Sequence, residues 1–129
     1  PKQPHPTPAE LEVLQILWDD GPATVRQVMD RLNKSRPRGY TTVMTLLNVM
    51  HDKGLLKRKP LGRAFEYSAK ADRNKTLGGM VGDLLRRAFQ GSSSALVTHL
   101  LDHAPPDDEE LAAIRAIIEE HEQETGGES

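Results

Sequence analysis

The sequence predicts a mostly α-helical chain with one small β-hairpin, and three observations carry that prediction. Apolar residues recur at helical spacing in six stretches bounded by capping residues or by glycine and proline. The period shortens to alternation once, around Phe65, Glu66 and Tyr67. Charge is divided along the chain: residues 1–70 carry 12 Lys and Arg against 7 Asp and Glu, and residues 71–129 carry 5 against 12.

Residues 1–6 are rich in proline and read as a flexible arm. Thr7-Pro8-Ala9-Glu10 opens the first helix. Thr7 can accept from a free first-turn N–H, Pro8 sits where its missing donor costs nothing, and Glu10 closes a capping box. Leu11, Leu14, Ile16, Leu17 and Trp18 follow, and Gly21-Pro22 stops the helix. Thr24 and Gln27 repeat the capping pattern for a second, shorter helix with Val25, Val28, Met29 and Leu32 on its apolar face. After the breaker cluster 35–39, a third helix is expected from about Tyr40 to Lys53, with Gly54 as its left-handed C-cap. Residues 55–59 and 64–68 then flank Pro60-Leu61-Gly62-Arg63 as a hairpin with a basic turn. Three short helices followed by a basic hairpin is the order of a winged helix-turn-helix, expected over residues 7–70.

Residues 71–124 read as a separate three-helix region. Asp72 caps a fourth helix with Leu77, Val81, Leu84, Leu85 and Ala88 on one stripe. Gly91 and the serines 92–94 break it, and a very short fifth helix carries Ala95, Leu96, Val97, Leu100 and Leu101. After Pro105-Pro106, residues 107–110 place four carboxylates in the first turn of a sixth helix, where the helix dipole favours them. Its stripe is Leu111, Ile114, Ile117 and Ile118, and residues 125–129 read as a flexible end.

Composition excludes several functions. There is no cysteine, so disulfides, zinc fingers and thiolate chemistry are absent. No stretch approaches the ~20 apolar residues of a membrane helix, so a soluble, cytoplasmic protein without direct membrane binding is expected. Leu, Ile, Val and Phe together number 29, enough for one small core or two modest ones but not for a large pocketed enzyme. Gly78-Gly79 and Gly82 fall inside a helical pattern and form no phosphate cradle, and the serines 92–94 fit a turn and cap better than a nucleophile. Neither an enzyme nor a cofactor is expected.

The third helix points to DNA. On a wheel of about 100° per residue, Val43, Leu46, Leu47 and Met50 share one side, and Thr41, Thr45, Asn48 and Asp52 share the other, with Thr42 and Val49 on its shoulder. An ordinary surface helix would carry Glu and Lys there. Short side chains let a helix approach the major groove, hydroxyls reach base edges, and a threonine methyl packs on the thymine methyl. Around this face, residues 31–63 hold nine basic residues against Asp52 alone. Arg36, Arg38, Lys57, Arg58, Lys59 and Arg63 are thus expected to bind phosphates while the threonine face reads bases.

At these residues the chain resembles the penicillinase-repressor family. The resemblance rests on Gly39-Tyr-Thr-Thr-Val-Met-Thr-Leu-Leu-Asn48, on Lys53-Gly54-Leu55-Leu56, and on Gly62-Arg63-Ala64-Phe65-Glu66-Tyr67-Ser68. Residues 10–14 with Leu17-Trp18, residues 24–28, Gly91-Ser92 and Leu96-Val97 extend it along most of residues 7–122. It implies a bacterial dimeric winged-helix repressor of resistance or stress genes, bound to palindromic double-stranded operators with TACA/TGTA-type half-sites. It would place Thr41, Thr42 and Thr45 at base edges, add backbone or edge contacts from Arg38, Tyr40 and Asn48, and set Arg63 near the minor groove or phosphates. Two departures, Val49 where the family usually has Arg and Asp52 where it has a basic or neutral residue, remove positive charge from that side.

Three short amphipathic helices make a thin core alone. Pairing two copies would bury Leu84, Leu85, Leu96, Leu100, Leu111, Ile114 and Ile118, and a dimer would read two half-sites one helical turn apart. The resemblance implies the same homodimer. It further implies induction through a membrane sensor-protease or a downstream protease that cuts an Asn-Phe bond in the fifth helix, a position held here by His99-Leu100. Copper sensing through a Cys-x-Cys pair is excluded by composition. Two alternatives remain: a winged helix used as a protein-interaction module, and a metal-responsive regulator built on His99 and His103, spaced i, i+4, with His121 on another helix.

Overall fold

The structure, a computed structural model, describes residues 5–126. In chain order its elements are α1 (Pro8–Asp20), β1 (Ala23–Thr24), α2 (Val25–Leu32), α3 (Tyr40–Asp52), β2 (Leu56–Leu61), β3 (Ala64–Ala69), α4 (Arg73–Phe89), α5 (Ser93–His103) and α6 (Asp108–Gly126). Both expected capping boxes form. Thr7 Oγ1 accepts from the Glu10 N–H at 3.2 Å while Glu10 Oε1 accepts from the Thr7 N–H at 2.9 Å. Thr24 and Gln27 reciprocate in the same way at 3.3 and 2.9 Å. Such caps each hold a helix end by about 1 kcal/mol.

The sheet has three strands in the order β1-β3-β2, all antiparallel. Unlike the hairpin, β1 leaves no pattern in the sequence; its two residues pair as Ala23↔Tyr67 and Thr24↔Glu66. Two residues hold no period, and Thr24 was already explained as a helix cap. The hairpin is also tighter than expected. Pro60 and Leu61 belong to β2, Leu61 pairs with Ala64, and the loop is Gly62-Arg63 alone. Gly62 has φ +62° and Arg63 does not, the pattern of a type II′ turn.

By packing, the chain divides between Gly82 and Asp83, inside α4. The first unit is built around a core of Val13, Leu14, Leu17, Val28, Leu32, Val43, Leu47, Met50, Leu56 and Tyr67, with Ala23, Val25 and Leu55 at its margin. The apolar side of α3 expected from its wheel faces inward: Val43, Leu47 and Met50 are fully buried and Leu46 is partly so. Trp18 stays half-buried and donates through Nε1 to the Ala71 carbonyl at 3.0 Å, fixing the exit from the sheet.

The second unit holds the rest of α4 with α5 and α6. The fifth helix is longer than expected, three turns, because Ser92 caps it by accepting from the Ala95 N–H at 3.1 Å and Ser93 and Ser94 become its first residues. Asp107 caps α6 through the Glu110 N–H at 2.8 Å, leaving three carboxylates in the first turn. Thr125 and Gly126, expected within a flexible end, continue α6 instead, and residues 127–129, like 1–4 of the expected arm, lie outside the described residues. No residue of α4, α5 or α6 is buried. No helix of the described residues is long and apolar enough to cross a membrane.

Candidate nucleic-acid interface

The position of α3 is set from both ends. At its C-terminus Lys53 Nζ reaches the buried Glu10 carboxylate at 2.7 Å and so ties α3 to the start of α1. Burial alone would raise the Glu10 pKa. The Lys53 ammonium and the hydrogen bonds from Thr7 outweigh it, and the carboxyl is held below its ordinary value of 4.5.

At the N-terminal end the α2–α3 turn is closed by Asn33. Its Oδ1 accepts from the Arg38 N–H at 2.8 Å, and its Nδ2 donates to the Arg38 carbonyl at 3.2 Å. The Arg38 side chain, only 10% exposed, donates through Nη2 to both carboxylate oxygens of Glu12 at 3.0 Å and through Nη1 to the Leu32 carbonyl at 3.0 Å. Expected on phosphates or bases, Arg38 is instead turned into the fold. With Nη2 on the carboxylate and Nη1 on the carbonyl, both terminal nitrogens of the planar fork that could grip phosphate are engaged within the fold.

The other predicted residues of α3 differ in exposure, with Asn48 half-buried. Thr41, Thr42 and Thr45 are exposed, Tyr40 is about half exposed, and none of the three threonine side chains bonds within the fold among the described residues. The wing brings its cations alongside. Lys57 and the turn residue Arg63 are exposed and without ion pairs among the described residues, whereas Lys59 pairs with Glu66 at 3.5 Å.

A groove of about 560 Å³ separates α3 from the wing, lined by Tyr40, Met44, Asn48, Arg58, Arg63 and Phe65 among others. Met44, Phe65 and Tyr67 were not among the predicted site residues. The register explains how the strands contribute. Arg58 is paired with Tyr67, so the two side chains share a face, and Phe65 lies two residues along on that same face. The Arg58 guanidinium sits 4.4 Å above the Phe65 ring, and Phe65 meets Tyr67 edge-on at 6.5 Å. Strand alternation in the sequence already placed Phe65 and Tyr67 together; the bond from Tyr67 to Asn48 of α3 was hidden.

The chain matches the penicillinase repressor family over residues 6–120. It belongs to that family. It is 28% identical over 120 residues to the penicillinase repressor of Bacillus licheniformis, covering 93% of this chain and 94% of that one. It is 34% identical over 115 residues to the transcriptional regulator BlaI of Mycobacterium tuberculosis, covering 88% of this chain and 82% of that protein. The methicillin resistance regulatory protein MecI of Staphylococcus aureus is 20% identical over 110 residues, 85% of this chain and 89% of MecI. Among solved structures, the DNA-binding domain of the repressor BlaI superposes with a TM-score of 0.50 at 30% identity, over 56% of this chain and 88% of that domain. Penicillinase repressors are transcriptional regulators, so this chain is a regulator and not an enzyme.

In the second unit the apolar residues expected at an interface divide in two. Leu84, Leu100 and Ile118 are about half exposed, and Leu85, Leu96, Leu111 and Ile114 are partly covered within the chain. His99 and Leu100 lie inside α5, both exposed. The His99 and His103 rings stack at 5.4 Å, Phe89 meets His99 edge-on at 5.1 Å, and His103 Nδ1 lies 3.1 Å from the His99 carbonyl. Among the described residues no three His, Asp or Glu side chains cluster closely enough to hold a metal ion.

Proposed function

We propose that this penicillinase repressor acts as a homodimer that binds a palindromic operator and blocks transcription, with residues 7–70 reading DNA and residues 71–124 pairing the copies. The observation that carries the DNA reading is the face of α3: three exposed threonines whose hydroxyls are unspent among the described residues, beside a wing that offers Lys57 and Arg63, free of ion pairs among those same residues. A helix so equipped fits a major groove, and the wing cations fit the flanking backbone. TACA/TGTA-type half-sites are the expected targets, with Val49 and Asp52 adjusting the preference.

The homodimer is supported by the second unit, in which no described residue is buried while Leu84, Leu100, Ile117 and Ile118 each stand 49% exposed or more. A second copy is the partner that also matches a two-fold operator. For induction, the reading places a sensor-protease or its downstream protease at His99–Leu100. That peptide lies within a formed helix, so scission requires α5 to open first.

The test is selection from a random duplex library by the intact protein, with the affinity of the recovered duplexes followed against salt. An enriched palindrome, weakening steeply as salt rises, is expected. Equal binding of all sequences would turn the reading toward a winged-helix interaction module.

A further inference from the structure

Asn48 lies on α3 at the edge of the groove, and its side chain meets two others from the wing. Arg58 Nη1 is 3.1 Å from Asn48 Oδ1, and the Tyr67 hydroxyl is 2.9 Å from the same atom. A guanidinium can only donate, so the amide atom facing Arg58 has to be the oxygen. The tyrosine hydroxyl then donates as well, and both lone pairs of Oδ1 are filled. Tyr67 is 2% exposed and anchored in the core. Arg58 is held by its stack on Phe65. The amide is therefore clamped in one orientation, with Nδ2 as its open end and no acceptor for it among the described residues.

From this we infer that Tyr67 and Arg58 are positioning residues that convert Asn48 into a fixed, donor-only contact for a hydrogen-bond acceptor on the duplex. The inference rests on the DNA-binding reading above. It has a specific consequence. Asparagine reads adenine by donating to N7 and accepting from N6, and that bidentate contact needs a free Oδ1. Here Oδ1 is spent, so Asn48 addresses an acceptor alone: a phosphodiester oxygen, purine N7, guanine O6 or thymine O4. Arg58 is correspondingly an internal clamp rather than the free phosphate cation its place in the basic run suggested.

The test is a double-mutant cycle of Tyr67→Phe and Asn48→Ala in the full chain, read as affinity for the duplexes that the wild type recovers from a random library and for a scrambled duplex. Tyr67→Phe keeps the ring in the core and removes only the hydroxyl, and thermal unfolding of each variant follows the fold. Asn48→Ala is expected to weaken binding about tenfold and Tyr67→Phe about fivefold. In the Asn48→Ala background, Tyr67→Phe should change nothing further, which a general loosening of the wing could not produce. Loss on both duplexes assigns the acceptor to phosphate, and loss on the recovered duplexes alone assigns it to a base edge; either pattern supports the donor role. A Tyr67→Phe loss of the same size in both backgrounds, or an Asn48→Ala variant that binds like the wild type, would overturn the inference while leaving the repressor reading intact. A wild type that binds no duplex would overturn both.

Discussion

The two units of this chain use similar material to opposite ends. In the first, α1, α2 and α3 close with a three-stranded sheet over thirteen buried apolar residues. In the second, helices with comparable apolar stripes bury none. The difference lies in the partners each stripe finds. Val13, Leu14 and Leu17 of α1 meet Val28, Val43, Leu47 and Tyr67 from elements on every side, and Leu84, Leu100, Ile117 and Ile118 remain about half in water or more. A unit that satisfies itself can hold a reading surface still. A unit that does not leaves its apolar stripes open to a partner, the role proposed for it above.

The contrast is broken most severely by a charge on the second unit. Leu100→Asp is expected to turn the dimer into monomers, seen by sedimentation, and to lower operator affinity by about 100-fold through loss of the second half-site. A stable dimer after that change removes the interface proposal. The counterpart in the first unit is Leu47→Ala, which should cost about 2–5 kcal/mol of unfolding free energy in thermal or denaturant melts and leave self-association intact. Equal sensitivity of self-association to both substitutions would erase the distinction between the units.

On the reading surface the effects are smaller. Thr41→Ala or Thr45→Ala should cost about 1–3 kcal/mol on a selected duplex and spare binding to scrambled DNA. Arg63→Ala should weaken both and reduce the salt slope by about one unit. The smallest effect concerns acid. Because the folded Glu10 pKa is depressed, its ion pair with Lys53 contributes stability that is present above the ordinary carboxylate value of 4.5 and is lost as pH falls through the lower folded value. Glu10→Gln should flatten that acid limb of stability in a pH series of melts.

Local chemistry made the helices legible. A capping box needs only four residues, and those at Thr7 and Thr24 formed as written. Alternation around Phe65 and Tyr67 exposed the hairpin for the same reason, since its period is contained in the strand itself. What escaped depends on reach across the fold. Nothing near Arg38 in sequence says that Glu12, 26 residues away, takes its guanidinium, and a basic residue between two helices reads as a phosphate ligand until that partner is seen. Asn48 was legible as a polar residue on the outer side of α3. That Tyr67, 19 residues on, and Arg58 would fix its amide was not, because it requires the wing to fold back over the helix. The serines before α5 could be read as a break or a cap, and three turns of helix decided for the cap.

The central claim is that one unit reads a half-site and the other brings a second reader to it. Its most direct test is the number of protein copies bound to a selected duplex and to the same duplex cut to one half, measured by sedimentation alongside affinity. Two copies are expected on the whole duplex, with half-site binding weaker by about 100-fold or more. One copy on the whole duplex, with the half-site bound as tightly, would contradict it.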